Sequence, residues 1–340
     1  MRAFICGVSG LVLDAGERIF LSAAQPWGVI LFARNIETPS QVIALVGEIR
    51  AALGRDGAPI VIDQEGGRVQ RLRPPHWREY PPASRLAEIY RASAIDGIRA
   101  VALQSRLIAA ELTALGIAID CLPVLDVSTP RTHAVIGSRT YGPDPVTVAT
   151  LGRAAAGGLL AGGCLPVIKH IPGHGRASAD SHAVLPEVGA SATDLETCDF
   201  VPFKALAHLP IAMTAHVLYT SLDKDKPATL SARILGEVIR GSIGFDGLLL
   251  SDDLSMAALS GDMAARAKGA LRAGCDMALH CNGDMAEMED VAAVSPELAG
   301  KALMRADAAL ALLKPPQAPG DAIDLGAAIA EFEALTGHKF

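Results

Sequence analysis

The sequence predicts an α/β protein, a single-domain (β/α)8 barrel of the TIM type. Eight short apolar runs rich in β-forming residues recur along the chain, and a longer amphipathic or alanine-rich segment follows most of them. Continuous apolar runs are typical of parallel strands that are buried on both faces. Eight strand–helix units in roughly 300 residues fit a barrel of this class.

A second observation favours the barrel over a doubly wound sheet, which periodicity by itself leaves open. Nearly every apolar run ends in a polar residue. A barrel places all its strand ends on one rim, where the loops build a site, whereas a doubly wound sheet gathers only the few near its switch point. The polar strand ends are Asp14, Arg34 and Asn35, Asp63, Asp126, Lys169 and His170, His216, Asp252 and Asp253, and Asn282.

Each element can be assigned in order. The predicted strands are residues 10–13, 28–32, 59–62, 121–125, 165–168, 211–214, 247–251 and 276–281. The predicted helices between and after them are residues 39–53, 97–115, 144–161, 191–208, 231–242, 262–273 and 295–313, and several begin with a capping residue or an early proline. We expect the catalytic barrel to span residues 1–314. "KPPQAPG" then opens a tail, residues 315–340, that ends in a short helix.

Two long segments without a predicted helix follow the third and fourth strands. They are residues 72–96, which are rich in proline, and residues 127–143. Long loops in compact domains usually form or cover a site. We therefore expect both loops to lie at the functional rim.

Composition narrows the class of protein. Of the 340 residues 50% are hydrophobic and 20% charged, and the formal net charge is −7, which argues against nucleic acid or an anionic membrane as the main partner. Every apolar stretch is shorter than the roughly 18 residues of a membrane span. Asp14, Glu17 and Arg18 interrupt the apolar N-terminus before a secretory signal is complete. Six scattered cysteines without a CxxC pair are typical of reduced thiols, so we expect a cytoplasmic protein.

Residues 169–182, "KHIPGHGRASADSH", form the most polar loop of the predicted rim. His170 and His174 are four residues apart, a spacing that suits a metal ion on a helix. The proline and glycine between them oppose a helix, and a zinc site needs at least three ligands in fixed geometry. We therefore predict no metal and no other cofactor. Rim residues without any chemical role are the remaining simple alternative, which leaves the density of histidines and glycines unexplained.

Residues 251–256, "SDDLSM", place two carboxylates directly after the seventh predicted strand. A carboxylate there is partly desolvated and held in place by the barrel, as a nucleophile or a stabiliser of positive charge requires. Neighbouring side chains of an extended strand point to opposite faces. Of Asp252 and Asp253 we expect one to face the lumen and the other to brace the turn; an ordinary helix N-cap is the alternative.

Residues 62–71, "IDQEGGRVQR", add Asp63 at a strand end and Arg71 eight residues later, far enough to fold back over the same rim. The glycine pair is not a phosphate loop, because the GxxxxGK[ST] and GxGxxG patterns are both absent. Carboxylates accept several hydrogen bonds and guanidinium groups donate several. Such groups converging on one pocket indicate a ligand rich in hydroxyls, for which a sugar is the obvious choice.

Together, "IDQEGGRVQR", "IGSRTYG", "KHIPGHGRASADSH" and "SDDLSM" resemble the glycoside hydrolase family 3 β-N-acetylglucosaminidases, above all their single-domain bacterial members. The resemblance runs from about Gly10 to Asn282. Ile171 stands where phenylalanine is usual, and "RTY" replaces "RSF"; both changes are conservative. The tail carries no motif that can be compared.

The resemblance implies roles for eight residues. Asp252 corresponds to the catalytic nucleophile, and His182, paired with Asp180, to the general acid/base. The positions that hold the N-acetylglucosamine ring correspond to Asp63, Arg71, Arg139, Lys169 and His170.

The resemblance also implies a reaction. It is that of a retaining exo-β-N-acetylglucosaminidase without cofactor, which releases GlcNAc from GlcNAc-1,6-anhydro-N-acetylmuramic acid and its peptides in cytoplasmic cell-wall recycling. The expected partner is therefore a small carbohydrate.

A histidine acid departs from the usual pair of carboxyl groups about 5 Å apart. An unperturbed histidine titrates near pH ~6.5, which suits a group that must give and retake a proton. Asp180 could fix its tautomer and favour the imidazolium. Gly173 and Gly175 beside Pro172 predict a flexible hinge, so that His182 swings in only when substrate is bound.

Other functions remain open on the sequence alone. A histidine acid would not repel phosphate as a carboxylate does, so a family 3 phosphorylase, or a broader β-glycosidase, is an alternative. A metal-dependent barrel hydrolase needs an HxH pattern at the end of the first strand, where this chain reads "VLDAGE". A non-catalytic sugar-binding barrel would keep Asp63 and Lys169 but would not need "DSH" or Asp252.

Overall fold

Eight parallel strands close into a barrel in which each strand pairs with its neighbours in the chain, and the last pairs with the first. The computed structural model describes residues 1–313 and 323–340. The predicted (β/α)8 fold is therefore confirmed. The eight barrel strands are β1 (Arg2–Cys6), β2 (Pro26–Leu31), β3 (Ile60–Ile62), β4 (Ile119–Asp120), β5 (Leu165–Ile171), β6 (Ile211–Thr214), β7 (Leu248–Asp253) and β8 (Met277–His280).

Helices surround the barrel. Those predicted at 39–53 and 144–161 are confirmed to within a residue, and each begins with proline after a capping Thr38 or Asp144. Two π-helical segments, Leu195–Asp199 and Ile234–Ser242, complete the outer layer. The α-helices are α1 (Ala15–Ala24), α2 (Pro39–Leu53), α3 (Ala83–Ala92), α4 (Ala94–Ala114), α5 (Pro145–Ala161), α6 (Ala192–Asp194), α7 (Val201–Ala205), α8 (Met263–Ala273), α9 (Met285–Val294), α10 (Gly300–Leu310) and α11 (Leu325–Thr336).

The prediction for the first strand was wrong. The strand is Arg2–Cys6, and residues 10–13 belong to the loop that follows it. Asp14 does not end a strand but is the N-cap of α1: its side chain accepts a hydrogen bond from the Glu17 amide at 2.7 Å, and Glu17 accepts one from the Asp14 amide at 3.0 Å. This reciprocal capping box begins the helix at Ala15 and ends the extended chain before it.

The fourth strand also differs from the prediction. Its regular part is Ile119–Asp120, and only an isolated bridge joins Val124 to Lys169 further along. Pro123 lies between this strand and the bridge at Val124. A proline has no amide hydrogen to donate to the hydrogen bonds between strands. Sequence patterns did not identify α1, α3 or α9, of which α3 lies inside the segment 72–96 that was expected to be a loop.

Two layers of apolar side chains make up the core. One fills the barrel interior and includes Trp27, Val61, Val167 and Met277, all buried. The other lies between the barrel and the helices. Because the interior is filled by side chains, a ligand can enter only at an end of the barrel, and in this fold the functional end is the carboxyl rim.

The tail carries helix α11, which packs against α4 and α3. Phe332 of this helix is fully buried and stacks on the ring of Phe340 at 5.3 Å. The predicted helix-breaking segment "KPPQAPG" lies outside the described residues. In the part of the chain that the structure describes, the helices are all too short or too polar to span a bilayer.

Candidate active site

A cavity of about 220 Å³ opens at the carboxyl rim of the barrel. Residues in or directly after β2, β3, β5, β6, β7 and β8 line it, together with residues of the segments 64–71, 127–143 and 172–186. Asp180 does not line it directly. The other seven residues that the sequence predicted for the site all do: Asp63, Arg71, Arg139, Lys169, His170, His182 and Asp252.

A chain of alternating charges forms one wall of the cavity. The Nζ atom of Lys169 lies 2.8 Å from Asp63 Oδ1 and 2.8 Å from Glu65 Oε1. Arg71 donates to Asp63 at 3.1 Å, and Arg139 binds Glu65 with two hydrogen bonds of 2.7 and 2.8 Å. Three cations and two anions leave one net positive charge on this wall.

The ion pairs keep these groups charged although they are buried. Burial by itself would raise the pKa of Glu65, but Arg139 and Lys169 outweigh it and lower that pKa to about 2. Likewise burial is outweighed at Asp63 by Lys169 and Arg71, which hold its pKa well below the usual range. Burial would lower the pKa of Lys169, yet the two carboxylates raise it.

Glu65 is a site residue that the sequence prediction missed. The signal was present, because Glu65 follows Asp63 by two positions. In an extended segment that spacing puts two side chains on the same face. The sequence analysis considers the two glycines of this segment and gives no role to Glu65. Gly66 and Gly67 have φ values of +94° and +58°, so they turn the chain back toward Arg71.

His170 is held by a buried carboxylate behind it. Its Nδ1 lies 2.7 Å from Asp126 Oδ2, and the other oxygen of Asp126 accepts the amides of His170 and His174 at 3.2 and 2.6 Å. Burial would raise the pKa of Asp126, but His170 and, to a smaller extent, His174 outweigh it and lower that pKa to about 2. With Nδ1 occupied, Nε2 is the ring nitrogen left for a ligand.

Asp252 lines the cavity at the end of β7, and Asp253 next to it braces the turn. Asp253 accepts hydrogen bonds from the Ser255 amide at 3.0 Å, the Ser255 hydroxyl at 2.5 Å and the Cys281 amide at 3.1 Å. Asp252 accepts the Asp253 amide at 2.8 Å. One carboxylate is therefore committed to structure, and the other retains an oxygen for chemistry.

The surroundings of Asp252 favour its ionised form. Burial would raise its pKa, but the charge interactions with His170 and then with His216 outweigh this and lower the pKa. His216 is buried at the end of β6, between the hydroxyl of Thr229 at 2.7 Å and the carbonyl of Asp253 at 3.0 Å. The sequence predicts His216 only as a polar residue at a strand end, because nothing in its spacing links it to Asp252.

His182 lies at the mouth of the same cavity, on the tip of the loop. Its Nδ1 is 2.8 Å from Asp180 Oδ1, and its side chain is 64% exposed. Burial would raise the pKa of Asp180, but its hydrogen bonds with His182 lower it. The carbonyl of His182 accepts the amide of Ala257 at 3.4 Å, so the tip touches the segment that follows Asp252.

Gly175, at the base of the loop where a flexible hinge is expected, has a packing role in the structure. A Cβ atom on Gly175 would lie 1.9 Å from the carbonyl oxygen of Val127, so this glycine allows two backbones to pack closely. Thr132 also donates to the Gly175 carbonyl at 2.5 Å, and Tyr219 to the Gly173 carbonyl at 2.8 Å. The base of the loop is therefore anchored to the barrel.

An aromatic residue of the cavity was also missed. The ring of Phe32, which follows β2, lies 5.1 Å from the guanidinium carbon of Arg34 and 5.0 Å from that of Arg71. Both contacts are cation–π interactions. The Phe32 ring thus contacts Arg71 as well as Arg34, and no sequence spacing connects Phe32 with Arg71.

The described residues, 1–313 and 323–340, contain no group of three or more histidine, cysteine, aspartate or glutamate side chains arranged to hold a metal ion. The two histidines considered as ligands have other partners. His170 is bound to Asp126, and His174 Nε2 lies 3.2 Å from the hydroxyl of Ser181.

Comparison with known proteins agrees with this geometry. Residues 14–308 match the glycosyl hydrolase family 3 N-terminal domain, and the chain belongs to this family. It is 43% identical over 281 residues to a β-hexosaminidase of Pseudomonas aeruginosa, covering 81% of each chain. It is 43% identical over 274 residues to that of Methylococcus capsulatus, covering 79% of this chain and 80% of the relative. The protein is thus an enzyme, a β-hexosaminidase.

A solved structure supports the same assignment. NagZ from Neisseria gonorrhoeae in complex with N-trifluoroacetyl-D-glucosamine superposes with a TM-score of 0.88 at 32% identity, covering 99% of this chain and 97% of that one. The similarity to a single-domain family 3 glycosidase extends over the whole barrel. The family resemblance drawn from the four motifs is confirmed, which decides against the metal-dependent hydrolase and the non-catalytic barrel.

Proposed function

We propose that this β-hexosaminidase is a retaining exo-β-N-acetylglucosaminidase that forms a covalent glycosyl-enzyme on Asp252, with His182 and Asp180 as the acid/base pair. One observation carries the proposal: an ionised, half-buried carboxylate and an exposed imidazole bound to a carboxylate line the same cavity of about 220 Å³. Retaining glycosidases need these two functions on one sugar.

The charged wall fits the sugar ring. Its side chains supply hydrogen-bond donors and acceptors, so that one side chain can bind two adjacent ring hydroxyls. They are Asp63, Arg71, Lys169, Arg139 and, through Nε2, His170. Because the ion pairs fix these side chains before the substrate arrives, little rotamer entropy is lost on binding. The cavity is smaller than the usual range of about 300–1,000 Å³ for small-molecule pockets, which fits one terminal sugar unit.

The reaction proceeds in two steps. Asp252 attacks the anomeric carbon while protonated His182 gives its proton to the leaving glycosidic oxygen, so the C–O bond breaks as the ester bond forms. Neutral His182 then takes a proton from water, whose oxygen attacks the anomeric carbon and releases Asp252 and the sugar. Asp180 stabilises the imidazolium whenever it forms, as an aspartate does for a triad histidine.

The proposed substrate is GlcNAc-1,6-anhydro-N-acetylmuramic acid, with or without its peptide, and the proposed setting is cell-wall recycling in the cytoplasm. The support is the family resemblance of the four motifs and the similarity to NagZ, whose solved complex holds an N-acylated glucosamine. The proposed barrel of residues 1–314 would carry all eight site residues.

Trapping the intermediate tests the mechanism. A 5-fluoro derivative of an activated N-acetylglucosaminide slows both steps because fluorine destabilises positive charge on the ring, while the 2-acetamido group is kept. We expect one sugar to be attached to the peptide that contains Asp252. A label on any other residue would refute the assignment. Assaying sugar 1-phosphate in phosphate buffer, alongside free sugar, distinguishes hydrolysis from phosphorolysis.

A further inference from the structure

The loop that carries His182 has two parts with different attachment to the barrel. Its base, residues 172–177, is held by the contacts of Gly173 and Gly175 described above and by a 3.0 Å hydrogen bond from the His133 amide to the Ala177 carbonyl. Its tip, residues 178–183, turns on itself through hydrogen bonds to Asp180. His182 therefore lies in the part of the loop beyond these anchored residues.

Three hydrogen bonds hold the tip in place, and all are long. Ser181 and His182 accept the amides of Ala258 and Ala257 through their carbonyls at 3.2 and 3.4 Å. The third joins the Ser181 hydroxyl to His174 Nε2 at 3.2 Å. Ordinary N–H···O bonds centre on about 2.9–3.0 Å, so the two backbone bonds of the tip are longer than usual.

His174 belongs to the anchored base and has contacts on several sides. Its side chain is buried, its amide is bound to Asp126, and its ring meets the edge of His170 at a centroid distance of 5.7 Å. Its Nδ1 is buried and has no hydrogen-bond partner among the described residues. The contact with Ser181 is therefore the polar interaction that its side chain makes across the loop.

We propose that His174 and Ser181 are positioning residues that form a latch for the acid/base. The contact between the Ser181 hydroxyl and His174 holds the adjacent His182 at the mouth of the cavity, where its imidazole can reach the leaving oxygen of the sugar. The inference rests on the proposed role of His182. It assigns the second histidine of the "KHIPGH" segment, which lines the cavity, to holding the tip.

Leaving-group dependence tests the latch. Ser181→Ala removes one hydroxyl and should lower kcat/KM about 3- to 10-fold on a GlcNAc disaccharide, which needs a proton on its leaving oxygen. On a 2,4-dinitrophenyl glycoside, which departs without acid assistance, kcat/KM should stay near the wild-type value. His174→Gln should behave in the same way. A merely structural role would reduce both substrates equally.

Ser178→Ala is the matched control, because Ser178 is exposed on the same tip. We expect it to leave both substrates unchanged. Equal losses on the two substrates for Ser181→Ala, or no loss on either, would overturn the latch. If His182→Ala itself shows no leaving-group dependence, the proposed acid/base fails instead and the latch fails with it. Melting temperatures measured beside the rates identify a variant that is poorly folded.

Discussion

Glu65 and Arg139 form a bidentate ion pair at the wall of the cavity, and each carboxylate oxygen of Glu65 lies beside a cation. Oε2 accepts Arg139 Nε at 2.8 Å, and Oε1 accepts Arg139 Nη2 at 2.7 Å while also lying 2.8 Å from Lys169. Glu65 therefore fixes two of the side chains that we propose to bind the sugar, without itself being one of the predicted binding residues.

Glu65→Gln should damage both stability and substrate binding. Removing one partner of a buried ion pair costs about 3–5 kcal/mol, because it leaves the other charge uncompensated. Here Lys169 and Arg139 would also lose their fixed positions. We expect a lower free energy of unfolding in urea and a raised KM. Glu111→Gln is the matched control, because Glu111 forms an ion pair of 2.6 Å with Arg78 and neither residue lines the cavity. This variant should lower the free energy of unfolding and leave KM unchanged.

Asp252→Asn should abolish turnover of every substrate, whatever its leaving group. An amide cannot form the glycosyl ester, and loss of a nucleophile costs about 10³-fold or more in kcat. Steady-state rates on aryl glycosides measure this. Asp262→Asn makes the same chemical change at an exposed helix N-cap, where asparagine caps as well as aspartate. A residual rate within tenfold of the wild type for Asp252→Asn would exclude it as the nucleophile.

His182→Ala should separate two kinds of substrate. Poor leaving groups need a proton in the first step and should react about 10²- to 10⁴-fold more slowly. Activated phenolates leave without one and should be impaired only in the second step, where added azide can replace the base-activated water. Rates on a series of aryl glycosides with and without azide test this. Similar losses for all leaving groups would contradict the acid role.

Stability should depend on pH through His174. Burial lowers its pKa from 6.5 to about 4. Between these values the unfolded chain binds more protons than the folded one, so the free energy of unfolding rises with pH across that window and falls as pH drops from 6.5 toward 4. From pH 7 to 4.5 the wild type should lose about 2 kcal/mol more than His174→Gln. Urea titrations at both values measure it. His208→Gln, an exposed histidine, is the control and should keep the wild-type loss.

Chelation should leave hydrolysis unchanged. The proposed mechanism assigns the nucleophile, the acid/base and the charge stabilisation to side chains, and His170 and His174 are engaged with Asp126 and Ser181. Assays before and after dialysis against EDTA measure the effect. Loss of activity that zinc restores would contradict the assignment of these histidines.

Much of the barrel could be predicted because its signals are local. The continuous apolar run 211–214 forms a strand whose residues are all buried, and its position then fixes which polar residues reach the rim. Residues 10–13 show the limit: an apolar run of the same kind is turned into a loop by the capping box of Asp14 and Glu17. That outcome depends on side-chain hydrogen bonds, not on the apolar pattern.

The site divides in the same way. Residues that belong to a family motif were located, but their partners were not, because partnership is a matter of distance in space. Asp126 binds His170 from 44 residues away, and Glu65 binds Arg139 from 74 residues away. The glycines of the loop show a different limit, since a sequence cannot tell a glycine needed for motion from one needed for close packing.

The C-terminal residues close over the proline-rich segment that leads out of the site. Phe340 meets the edge of the Tyr80 ring at 5.3 Å, and His338 binds the carbonyl of Glu79 at 2.7 Å. Deleting residues 325–340 would therefore uncover a buried aromatic ring within ten positions of Arg71. A chain shortened in this way would expose apolar surface, although it would keep every residue that lines the cavity.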